Sequence, residues 1–198
     1  MDQSNRKKPF IRETEVTYDV YAAMPEDGHR YEVADGVLEL MSPGPSLTHQ
    51  SFSAQLQFVI TQSCSSDYFI VSAPFDLILS NREVRQPDLA MVHLSRLSIV
   101  KNRGIVGAPD LVVEILSPYS ARRDKLKKVA VYAKYGIPEY WIADPANGTL
   151  EQYELQSQET TYVLTNVYQP DDPVRSESIP CVSFTMQELL AKIPKLED

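Results

Sequence analysis

The chain has 198 residues, 43% hydrophobic and 23% charged, which suits one sizeable core and excludes a disordered composition. Its formal net charge of −8 excludes a uniformly basic surface of the kind that coats nucleic acid. A local patch remains possible, since Arg122, Arg123, Lys125, Lys127 and Lys128 set five cations within seven residues.

Residues 1–14 are polar and read as a flexible N-terminus. Its first ten residues, MDQSNRKKPF, contain no apolar signal core. No later stretch approaches the ~20 apolar residues of a membrane span, so a cytoplasmic protein without a membrane is expected. From residue 15 onward no linker or repeat divides the chain, and 15–198 is read as one domain. Residues 15–24 predict a short helix with Val16, Val20, Ala23 and Met24 on one face. Two alternating runs flank Ala34-Asp35-Gly36, a hairpin signal. Ser46 to about Cys64 predicts a helix capped by Ser46 or Thr48, with Phe52, Leu56, Val59 and Ile60 as its apolar stripe.

Residues 68–79 are β-rich and interrupted by Pro74, 87–94 read as a strand, and 95–108 as a polar or basic connection. The run DLVVEIL at 110–116 is nearly all apolar and β-branched, as expected of a strand buried on both faces. A helix from about Ser120 to Tyr135, closed by Gly136, leads to a strand at 138–143. Such a strand–helix–strand unit implies two parallel neighbours with a right-handed crossover. A turn at 144–148, a hairpin from 149–155 and 161–168, and a helix near 185–192 complete a mixed α/β sheet flanked by helices. Cys64 and Cys181 lack CxxC spacing and a companion histidine cluster, so they are expected as reduced thiols.

Two carboxylates stand out. Asp88 begins one apolar strand and Glu114 is the one ionisable side chain inside the next. A buried charge costs several kcal/mol unless it is paired or metal-bound. One reading pairs Glu114 with a cation of the following helix for packing. The other has both acids converge on a divalent ion, Mg²⁺ or Mn²⁺, as oxygen-only ligands favour. Lys128 lies four residues after Asp124, near the edge of the stripe formed by Leu126, Val129, Ala130 and Ala133, and is placed to reach back over Glu114. Lys125 and Lys127 look more solvent-facing. Tyr140 and Trp141 are expected in the core.

The segments RYEVADGVLELMSPGPSLTHQ, RQPDLAMV and APDLVVEILSPYSARRDKLKKVAVYAKYGIPEYWIADP resemble a family of predicted restriction endonucleases abundant in cyanobacteria, within the PD-(D/E)xK nuclease superfamily. The resemblance spans roughly residues 15–155. It implies a restriction-endonuclease-like core, with Pro87-Asp88 as the PD element and Glu114 as the acid of the second element. Leu116 stands where the superfamily pattern has lysine, and the resemblance implies that this lysine has migrated to Lys128. It further implies the main-chain carbonyl of Ile115 as a metal ligand, with weaker roles for Glu32 in the acidic cluster and His49 at phosphate or a bound water.

The expected function is a Mg²⁺- or Mn²⁺-dependent endonuclease acting on DNA, as a homodimer whose two sites match a duplex. The alternative is a catalytically inactive nucleic-acid-binding or protein-interaction module on the same fold. GxSxG, HExxH and Walker-loop patterns are absent from the sequence, which sets aside the chemistries they carry.

Overall fold

The computed structural model describes residues 15–42, 44–117 and 123–194, and their side chains except at 123–126. The tail 1–14, Arg122, the helix start near Ser120 and the side chains of Arg123 and Lys125 therefore lie outside the described residues.

In chain order the elements are α1 (Tyr18–Ala22), β1 (Tyr31–Ala34), β2 (Val37–Leu40), α2 (Leu47–Cys64), β3 (Tyr68–Ser72), β4 (Leu77–Ser80), β5 (Glu83–Arg85) and β6 (Leu89–His93). A 3-10 turn at Leu94–Ile99 leads to β7 (Val100–Lys101), β8 (Gly104–Val106), β9 (Leu111–Ile115) and α3 (Arg123–Lys134). Then follow β10 (Glu139–Asp144), β11 (Thr149–Leu155), β12 (Tyr162–Tyr168) and α4 (Met186–Leu190). The strands form two mixed sheets, in the orders β2-β1-β5-β4-β8-β7 and β12-β11-β10-β9-β6-β3.

The β1–β2 turn takes positive φ at both central residues, Asp35 (47°) and Gly36 (80°), the geometry that matches strand twist in a two-residue hairpin. In the second sheet β9 and β10 run parallel, joined through α3, while β6 runs antiparallel to β9. Side-chain alternation divides the core. Leu89, Met91, Leu111, Val113, Trp141 and Ala143 face α2 and the C-terminal segment. Ala90, Val92, Val112, Tyr140 and Ile142 face the opposite way, where Tyr132 of α3 packs with Leu77 and Ile105 of the first sheet. Each of the Val, Leu, Ile and Met side chains among them contributes about 1.5–3 kcal/mol by leaving water.

Three expectations need correction. Cys64 and Cys181 are joined in a disulfide, not held as separate thiols. They are 117 residues apart, and the packing of α2 against the C-terminal segment brings their Cα atoms to 5.3 Å. The first helix is shorter than expected and buries Tyr18, while Val20 is 53% exposed. The segment 95–108 is not a plain connection, since it carries the 3-10 turn and the β7–β8 hairpin. Among the described residues no helix is long and apolar enough to cross a membrane.

Candidate active site

Strand register brings the two acids together. Leu89 lies opposite Val113 and Ala90 opposite Val112 in the β6–β9 ladder. Continuing that antiparallel register by one residue sets Asp88 opposite Glu114, so both side chains leave the same face of the sheet. The backbone fixes Asp88 further: the Ile115 N–H donates to its Oδ2 at 2.7 Å, and its own carbonyl accepts from Ala73 N–H at 2.9 Å.

Glu114 receives two donors on Oε1, Lys128 Nζ at 2.9 Å and the Tyr132 hydroxyl at 2.8 Å. Lys128 and Tyr132 are four residues apart on α3 and therefore share its face. The same ammonium lies 3.4 Å from Glu32 Oε1, so Lys128 joins an acid of the first sheet to an acid of the second. Burial, reinforced by the Asp88 and Glu32 charges, raises the Glu114 carboxyl to about 7 against the pull of Lys128. Burial would lower Lys128, but Glu114, Glu32 and Asp88 outweigh it and hold the ammonium above its ordinary range. The two shifts differ in their leading cause: burial keeps the proton on the Glu114 carboxyl, while three carboxylates facing one ammonium keep the proton on Lys128.

Glu32 is anchored from behind. It stands directly opposite Glu39 in the β1–β2 pair, a repulsive placement unless a cation intervenes. Arg85 supplies it, donating to Glu32 Oε2 at 3.2 Å and to Glu83 Oε1 at 2.6 Å and lying 3.9 Å from Glu39. The Gln86 N–H donates to Glu32 Oε1 at 2.9 Å.

His49 arrives from the first turn of α2, whose Ser46 cap accepts its backbone N–H. Its Nε2 donates to the Ile115 carbonyl at 3.1 Å and lies 3.4 Å from Asp88 Oδ2. Desolvation would lower the imidazole, but the Asp88 hydrogen bond and charge outweigh it and raise its pKa. The other nitrogen, Nδ1, is buried and has no partner among the described residues. Asp88, Glu114, Ile115, Lys128, Glu32 and His49 all line one cleft of about 220 Å³. Its rim is basic as well as acidic, with Arg30 and Lys127 alongside Glu39.

A family model described as "Putative restriction endonuclease", that of Uma2, matches residues 18–187. The chain belongs to the Uma2 family. The fold of this Uma2 protein is similar to the crystal structure of a putative nuclease belonging to DUF820 from Anabaena variabilis, with a TM-score of 0.72 and 22% identity. That likeness covers 89% of this chain and 98% of the other. No curated protein sequence matches.

Several residues in or behind this Uma2 cleft are not legible in the sequence. Arg85 and Glu83 sit in a three-residue strand with no apolar alternation to announce it, and their burial rests on mutual pairing. In sequence Tyr132 continues the helical face of Asp124 and Lys128, and on that face its hydroxyl bonds Glu114, a contact the spacing alone does not announce. Tyr140 is core, as expected, but also forms a wall of the cleft. Lys127 is half exposed and lies 3.6 Å from Glu39 at the rim.

Proposed function

We propose that this Uma2 protein is a Mg²⁺- or Mn²⁺-dependent endodeoxyribonuclease that hydrolyses phosphodiester bonds. The observation that carries it is that Asp88, at the head of β6, and Glu114, in the neighbouring β9, line one cleft where Lys128 binds Glu114. The donor set fits a hard cation. Two carboxylates and the Ile115 carbonyl offer oxygen, and Mg²⁺ commonly keeps several waters besides one or two carboxylates. Among the described residues no group of three or more His, Cys, Asp or Glu is placed to hold a metal ion, so the proposed ion would rest on the two acids, the Ile115 carbonyl and water. Crowding of Asp88 and Glu32 around Glu114 is the strain that a doubly charged ion would relieve.

When bound, the ion would supply Lewis acidity at the phosphodiester and neutralise developing charge. The chain's residues do the rest. Lys128 is held protonated by the three carboxylates, so at neutral pH it serves as a positive charge toward phosphate and not as a base. Tyr132 fixes the Glu114 carboxylate from the helix side. His49 holds the Ile115 carbonyl and Asp88 in one orientation. One cleft cuts one strand, so a homodimer is proposed for duplex cleavage.

The purified protein is expected to nick or linearise plasmid DNA with Mg²⁺ or Mn²⁺ and to be silent with EDTA. Asp88→Asn and Glu114→Gln should each reduce the rate on the order of 100-fold or more. A folded wild-type protein that cuts no form of DNA with either metal would refute the reading. Leu116, in the usual lysine place, favours a second reading, the non-catalytic module. Calorimetry separates them: Mn²⁺ binding that vanishes in Glu114→Gln counts against that module.

A further inference from the structure

A second cleft, about 490 Å³, adjoins the first and has a different chemistry. Its walls include Phe69 from β3, Phe75 from the β3–β4 connection and Tyr21 from α1, with the Asp76 carboxylate among them. Phe69 is 36% exposed, an aromatic ring presented to solvent on an edge strand. Asp76 Oδ1 accepts from the Tyr21 hydroxyl at 3.1 Å and Gln86 Nε2 at 3.0 Å. That uses two of the roughly four acceptor sites of a carboxylate.

Lys101, which ends β7, and Arg103, in the β7–β8 turn, also line this cleft. Their turn is pressed onto Asp76. The Ile105 N–H donates to the Asp76 carbonyl at 2.9 Å, and Gly104 has φ +132°, where a Cβ would meet that carbonyl at 2.2 Å. The Arg103 guanidinium lies 5.2 Å over the Tyr18 ring.

The two clefts share Gln86 as a wall. Its backbone N–H holds Glu32 in the first, its side-chain amide holds Asp76 in the second, and its Oε1 accepts from Arg30 at 2.7 Å. Continuity also runs along the backbone. The Ala73 N–H bonds the Asp88 carbonyl, and Phe75 follows two residues later, within about 7 Å of chain.

Stackable rings, an acceptor suited to exocyclic amines and cations in the lining are the elements that recognise an extruded base with its phosphate. A base held in a duplex offers no face to such rings. We propose that this second cleft receives an unpaired nucleobase of a DNA strand whose neighbouring phosphate lies in the Asp88–Glu114 cleft. Phe69 and Phe75 stack on it, Asp76 accepts from its amino edge, and Lys101 and Arg103 face the adjoining phosphate. The proposal rests on the nuclease reading for the direction of the strand, but its binding test does not require cleavage.

The test uses the full chain in EDTA with a short single-stranded oligodeoxynucleotide containing 2-aminopurine, and with the same sequence as a blunt duplex. The single strand is expected to bind more tightly, with 2-aminopurine fluorescence quenched by stacking. Phe69→Ser should weaken single-strand binding by about tenfold, in the lower part of the range for one lost base–aromatic stack. Phe75→Leu keeps apolar bulk for folding and should also reduce the quench. Unchanged affinity and quench in both variants, with wild-type circular dichroism, would overturn the proposal. Metal-dependent cleavage with no quench would overturn it while leaving the nuclease reading intact. Quenching that depends on the two rings, in a protein that cuts no form of DNA with Mg²⁺ or Mn²⁺, would support the cleft and sink the nuclease reading.

Discussion

Glu32 and Asp76 are two carboxylates withdrawn from water, and their partners move them in opposite directions. For Glu32 the burial penalty is outweighed by Lys128, the Gln86 N–H and Arg85, and its pKa falls below the ordinary value. For Asp76 burial dominates over the hydrogen bonds from Gln86 and Tyr21, and its pKa rises. An acid raised in the native state loses stability as pH climbs from its unfolded value near 3.8 through the native one, because the unfolded chain releases the proton more readily. Asp76→Asn keeps an acceptor and removes the ionisation. The variant's unfolding free energy minus that of wild type should therefore rise with pH across this acid range and level off above it. Urea melts in a pH series measure this, and a flat or falling difference would show that burial does not dominate at Asp76. Arg85 gives the complementary case. It is nearly fully buried between Glu32 and Glu83, and Arg85→Met leaves Glu83 without this cation and Glu32 with Lys128 alone. A loss of about 3–5 kcal/mol in urea unfolding is expected.

At the scale of elements, the sequence is most legible where periodicity and chemistry agree. The parallel β9–β10 pair with α3 could be read because its strands are continuous apolar runs and its helix ends at Gly136, with φ 75°. The same segment exposed Glu114, since a lone acid in such a run demands an explanation. The β5 strand and β7–β8 hairpin escaped because they are two or three residues long and rich in charge or glycine. There, tertiary pairing replaces local pattern. In α2 the sequence left two cap candidates, Ser46 and Thr48. The Ser46 hydroxyl accepts the His49 N–H, while Thr48 is exposed within the first turn. Ser46→Ala should cost about 1 kcal/mol by thermal or urea unfolding, and Thr48→Ala should stay within about 0.5 kcal/mol. Equal losses would mean that the cap is shared and that His49 is held less firmly than the geometry indicates.

Over the whole molecule, the feature least accessible to sequence is the Cys64–Cys181 disulfide, because 117 intervening residues leave no local spacing to read. Its position becomes intelligible only after folding. The segment carrying Val174, Val182, Phe184, Met186 and Leu189 covers one face of the second sheet beside α2, and the disulfide fastens that cover to the helix end. Closing so long a loop restricts the unfolded chain more than the native one, a stabilisation of about 3–5 kcal/mol in the chain-entropy account. Reductant should therefore lower the urea midpoint of the wild-type protein. The double variant Cys64→Ala, Cys181→Ala should begin lower and show no response to reductant. His49 and Cys64 lie fifteen residues apart on α2, about 22 Å along its axis, so the fastening is remote from the cleft that His49 enters. Mn²⁺ affinity measured in mild denaturant-free buffer should consequently be the same with and without reductant. A drop in affinity on reduction would show that the C-terminal cover sets the placement of α2, and that stability and site geometry are coupled through that helix.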